Sequence, residues 1–116
     1  MNKKDLAPIV LFVYNRLEHT KQTVDALKRN SLAKESVLYI FSDAPKTGDD
    51  FSKVIRVRDY LKTIKGFKEV NIFENVINLG VSSNMIRAIT IVVNQHGKVI
   101  MLEDDDVVSK YFLEYN

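Results

Sequence analysis

The chain has 116 residues, 46% hydrophobic and 28% charged, with a formal net charge of +2 and no cysteine. That length supports one domain with a real core, yet it is short for a complete enzyme. Missing cysteines exclude a disulfide scaffold and thiolate metal sites, scattered basic residues exclude a nucleic-acid stripe, and no apolar run is long enough for a membrane span. The polar start Met1-Asn2-Lys3-Lys4-Asp5 does not read as a signal peptide, and a cysteine-free chain suits a reducing compartment, so the expected location is cytoplasmic.

Residues 9–14 (Ile-Val-Leu-Phe-Val-Tyr) are β-branched, apolar and aromatic without interruption, which predicts a buried strand entered through Pro8. From 17 to 29 the period becomes helical, with Leu17, Thr20, Val24 and Leu27 on one face, until Asn30-Ser31 breaks it. Residues 37–41 form a second buried strand that runs into Ser42-Asp43-Ala44-Pro45 and the turn composition of 46–49. A second helix is predicted over 50–64, with Phe51, Val54, Ile55, Leu61 and Ile64 as its stripe and Gly66 as its stop. A third, more polar strand at 70–73 belongs near a sheet edge.

A loop at 75–80 leads to a third helix over 83–95, apolar around much of its circumference and so expected to be deeply buried. The fourth strand, 99–102, has the continuous apolar character of a central strand and delivers Glu103, Asp104, Asp105 and Asp106. Ser109 caps a short last helix through Tyr115. Alternating strands and helices with short links predict an α/β fold, a three-layer α/β/α arrangement on a mainly parallel four-stranded sheet with right-handed crossovers.

In such a sheet the carboxyl ends of the strands share one rim, where ligands sit. Unpaired carboxylates are too costly to bury, so the acidic run must surface there. Crowded carboxylates are best explained by a hard cation, Mg²⁺ or Mn²⁺, which also holds phosphates; the alternative is a solvated acidic turn. Arg16 either opposes a diphosphate or is a surface arginine at a helix start. Asp43 either accepts from a base N–H or is a turn aspartate. Gly80 lets a backbone approach a ligand or holds a positive φ, and Asn84 contacts a nucleotide or caps the third helix. His19 and His96 have no second histidine at ligand spacing, no Ser/His/Asp set is visible, and both a Walker loop and a Gly-x-Gly-x-x-Gly turn are missing.

Taken in order, Ala7-Pro8-Ile9-Val10, Tyr14-Asn15-Arg16, Ser42-Asp43, Asn78-Leu79-Gly80-Val81-Ser82-Ser83-Asn84 and Leu102-Glu103-Asp104-Asp105 resemble the nucleotide-binding half of GT-A glycosyltransferases, a Rossmann-like half-fold. The Asn-x-Gly-x-x-x-Asn spacing is similar to the inverting family 2. The opening strand and Glu-Asp-Asp resemble the N-acetylglucosaminyltransferases that begin complex N-glycans. The resemblance implies that Asp105 coordinates Mn²⁺ on the diphosphate of a UDP-sugar, Asp104 faces the ribose, and Glu103 the ribose or donor sugar. It implies that Asp43 reads the uracil N–H, Arg16 lies near the phosphates, and Asn78, Gly80 and Asn84 pack on the base. Asp106 departs from the pattern, where a hydrophobic residue is usual, and leaves the metal register open between Asp104, Asp105 and Asp106. The implied activity is inverting transfer to a saccharide acceptor hydroxyl in bacterial polysaccharide synthesis. The acceptor half and catalytic base are expected outside residues 1–116, making this a fragment. Two other readings stand beside it. One is a non-catalytic α/β assembly module, dimeric through an uncovered apolar surface. The other is a different metal–phosphate enzyme, a nucleotidyltransferase or receiver domain, which Asn15-Arg16 and Asn75 fit poorly.

Overall fold

The computed structural model describes residues 6–104. Its elements alternate as β1 (Ile9–Val13), α1 (Leu17–Lys28), β2 (Val37–Ser42), α2 (Phe51–Leu61), β3 (Glu69–Glu74), α3 (Gly80–His96) and β4 (Ile100–Glu103). All four strands are parallel, in the order β3-β2-β1-β4, with Val10 in register with Tyr39 on one side and Met101 on the other. The α/β class and three-layer arrangement are those expected from the alternation. Among the described residues no helix is long and apolar enough to cross a membrane.

Successive strand side chains point to opposite faces, and that alternation divides the core. Ile9, Leu11 and Val13 join Leu38 and Ile40 beneath Val24 and Leu27 of α1 and Val57 and Leu61 of α2. Val10, Tyr39 and Phe41 pack beneath Ala88 and Val92 of α3. Phe41 stacks on Phe73 with ring centroids 4.7 Å apart. Fully burying an apolar side chain of this size contributes about 1.5–3 kcal/mol, so the two central strands, β1 and β2, are the main source of fold stability.

Several local expectations are corrected. β4 is an outer strand, paired only with β1 among the described residues, and Ile100 and Met101 are half-buried. Its apolar run marks contact with helices above and below, not a second strand neighbour. α2 stops at Leu61 and not Ile64, with Thr63 N–H and Ile64 N–H bonded to Tyr60 O and Leu61 O in a closing turn. Its buried stripe is Val54, Val57 and Leu61, leaving Phe51 exposed. Gly66, at φ +98°, sits beyond that turn against the Lys28 stem and is not the helix stop. α3 starts at Gly80 and is not deeply buried, since Ile86 and Ile89 are 65% and 41% exposed. One helix laid over a four-stranded sheet buries only the face that touches it. The expected helix from Ser109 to Tyr115 lies outside the described residues, as do Asp105 and Asp106.

Candidate functional site

The chain leaves β1 to pair on one side with β2, and β4 returns on the other side of β1. Connections that diverge in this way open a crevice at the carboxyl ends of the strands. A cleft of about 340 Å³ occupies that position, at the small end of the range of roughly 300–1,000 Å³ common for small-molecule sites. Arg16, Asp43, Asn78, Gly80, Asn84, Glu103 and Asp104 all line it, together with Phe12, Val13, Tyr14, Asn15, Lys46, Val81 and Met85. The seven residues singled out from sequence as nucleotide-binding therefore share one cavity, although they come from four separate strand ends.

Asp43 follows β2 and is buried. Its Oδ1 accepts from Ala44 N–H at 2.9 Å, Leu79 N–H at 2.9 Å and Asn75 Nδ2 at 3.2 Å. Its Oδ2 accepts from Gly80 N–H at 3.0 Å and Asn78 Nδ2 at 3.4 Å. A carboxylate has about four lone-pair sites, so these donors saturate it. The carboxylate caps α3 across the cleft, where a negative charge is favourable against the helix dipole. Capping of the third helix thus falls to Asp43. Asn84 is inside the helix, buried, with its Oδ1 accepting from Asn75 Nδ2 at 2.9 Å. Gly80 is at φ +80° with open space where a Cβ would stand, so its conformation requires glycine and no packed neighbour does.

Arg16 ends the β1 loop and precedes α1. Its guanidinium meets Asp104 Oδ1 at 2.6 Å, while Thr23 Oγ1 donates to Asp104 O at 2.7 Å. Asp104 is 6% exposed, yet that pair compensates its charge. It also offsets the unfavourable cation at a helix start. Glu103 is exposed on the same wall. The oxygen donors suit a hard cation, but among the described residues no group of three or more acidic, histidine or cysteine side chains is placed to hold a metal. Asp105, the expected ligand, is outside them.

Residues without a role in the sequence reading hold the loops behind the cleft. Arg58 of α2 donates through Nε to Ser42 Oγ at 2.9 Å and through Nη2 to the carbonyls of Ser42, Asp43 and Asn75. Arg87 of α3 donates to Asn75 Oδ1, with its guanidinium 5.7 Å from the ring centroids of Phe41 and Phe73. Asn75 therefore links both arginines to Asp43 and Asn84. Arg58 had a signal, since it lies four residues after Val54 and three before Leu61, on the buried stripe. Among the described residues no buried side-chain polar atom lacks a partner.

At the cleft mouth, Tyr14 Oη donates to Asp50 Oδ2 at 2.8 Å and accepts Lys46 N–H at 2.8 Å, while Asn15 Nδ2 donates to Asp50 Oδ1 at 3.0 Å. The bonds from Tyr14 and Asn15 hold the Asp50 carboxyl below its ordinary 3.8. Burial, in turn, raises the Tyr14 phenol above 10.0. No protein-family model matches this chain, and no curated protein sequence matches it.

Proposed function

We propose that this domain is the donor-binding part of a metal-dependent, inverting glycosyltransferase that takes a UDP-sugar, in the cytoplasm of a bacterium making surface polysaccharide. The observation that carries the proposal is the convergence of Arg16, Asp43, Asn78, Gly80, Asn84, Glu103 and Asp104 on one cleft at the switch point of a parallel sheet. In this reading the base lies along the Asn78–Asn84 wall. A base N–H reaches Asp43 Oδ2 by replacing Asn78 Nδ2, the most distant of its donors at 3.4 Å. Asn78 loses little, because it keeps Ala44 O at 2.8 Å. The ribose faces Asp104 and Glu103, and Arg16, already paired to Asp104, lies at the phosphate side. Asp105, outside the described residues, would hold Mg²⁺ or Mn²⁺, which would supply charge neutralisation for a departing diphosphate. The catalytic base and the saccharide acceptor site are assigned to no residue of this chain.

Titration calorimetry with UDP and Mn²⁺, repeated in EDTA, tests the proposal. The expected result is saturable heat that EDTA abolishes. Equal heats in both conditions defeat the metal part, and no heat in either defeats the nucleotide part. That last outcome favours a second reading, a non-catalytic assembly module that associates with a second copy. It draws on the apolar residues left in solvent at and beyond the rim, Val76 at 95%, Ile77 at 67% and Val81 at 69%.

A further inference from the structure

The cleft proposed to take a nucleoside diphosphate must meet two or three negative charges, yet its lining is acid-rich. Of the described lining residues, Asp43, Glu103 and Asp104 are acids and only Arg16 and Lys46 are cations. Arg16 is committed to Asp104. The N-terminus of α3, an otherwise suitable anion site, is committed as well, because the Leu79 and Gly80 N–H groups point at the Asp43 carboxylate. Lys46 differs from both. It lines the cleft, its side chain is exposed, and among the described residues its ammonium makes no hydrogen bond or ion pair.

Its placement is built. The Lys46 backbone N–H is held by Tyr14 Oη, and the same hydroxyl donates to Asp50, which also takes the Asn15 amide. Three hydrogen bonds thus join the loop after β2 to the turn after β1 at the cleft mouth. A lysine on such an anchored loop presents its charge without ordering the backbone at the moment of binding, which lowers the entropic cost of recognition.

We propose that Lys46 is the residue that contacts the phosphate groups of the ligand, with Tyr14 and Asp50 as the positioning pair that holds its loop. The proposal deepens the nucleotide reading and rests on it, so the experiment separates the two. Wild type, Lys46→Ala, Lys46→Arg and Tyr14→Phe are titrated with UDP, uridine and inorganic pyrophosphate at constant Mg²⁺. Loss of a charged hydrogen bond weakens binding by about tenfold. Lys46→Ala is therefore expected to lose about tenfold for UDP and pyrophosphate and nothing for uridine, with Lys46→Arg restoring most of it. Tyr14→Phe is expected to lose a smaller factor for the same two probes. Its thermal midpoint is recorded alongside to separate loop positioning from unfolding. Unchanged UDP affinity in Lys46→Ala, or equal losses for UDP and uridine, overturns the role of Lys46 while the nucleotide reading stands. Lys46-dependent pyrophosphate binding by a wild type that ignores uridine and UDP supports the anion contact and overturns the nucleotide reading. No binding of any probe overturns both.

Discussion

The two faces of the sheet are covered to different extents. On one, α1 and α2 lie side by side, and Leu11, Leu27, Leu38, Ile40 and Val57 are wholly buried. On the other, α3 is the one helix among the described residues; Val10, Phe41 and Val92 are buried beneath it, but Phe73, Val99 and Met101 are only partly covered. Strands lie about 4.8 Å apart, so four span roughly 15 Å, whereas a helix with its side chains is about 10 Å across. Two helices close such a surface and one does not. The difference teaches that a helix rich in apolar residues is not thereby buried. The number of elements in its layer decides.

Mutations at matched apolar positions test the asymmetry most directly. Leu27→Ala, beneath the closed face, is expected to cost about 2–5 kcal/mol in urea denaturation, against about 0.5 kcal/mol or less for Ile89→Ala on the open one. Similar costs at the two positions would mean that α3 is covered in solution after all. Arg58→Met comes next. It takes the Arg58 donor from the buried carbonyls of Asp43 and Asn75 and leaves the Ser42 carbonyl with Asn75 N–H alone, which is expected to cost about 1–3 kcal/mol by the same measurement. An unchanged midpoint would show that these carbonyls find other partners. The smallest effect is at alkaline pH. Tyr60 packs against the closed face, where burial first and Asp25 second push its phenol up to about 12. A raised acid holds its proton longer folded than unfolded, so the Tyr60 contribution is intact below pH 10 and declines as pH rises from 10 to about 12. Tyr60→Phe should flatten the fall in stability over that window, and an identical pH profile in the variant would rule the linkage out.

Much of this architecture was legible locally. The uninterrupted runs at Ile9 and Val37, the helical period from Leu17 to Leu27, and the end of the third helix near residue 95 all reflect forces acting between near neighbours. The observed cap agrees, with Gly97 at φ +77° and its N–H on Val93 O at 2.7 Å. The rim residues were legible for a related reason, since an alternating α/β chain brings its strand ends to one side. Their partners were not. Nothing near Asp43 in the chain announces that its carboxylate serves amides 36 and 37 residues away, or that Arg16 pairs with Asp104 across 88 residues.

By itself, the sequence determined the element types, their order, the parallel α/β class and the set of polar side chains at the carboxyl rim. Periodicity, β-branching and turn chemistry act over a few residues and are written in consecutive letters. Only the tertiary structure decided that, among the described residues, β4 is an outer strand and α3 is half open, and that Asp43 caps α3. It also placed Lys46 at the cleft mouth, with its backbone N–H held by Tyr14 Oη and its ammonium making no hydrogen bond or ion pair among the described residues. Edge position, cover and charge compensation depend on which distant segments arrive beside a residue, and those meetings are settled by packing the whole sheet.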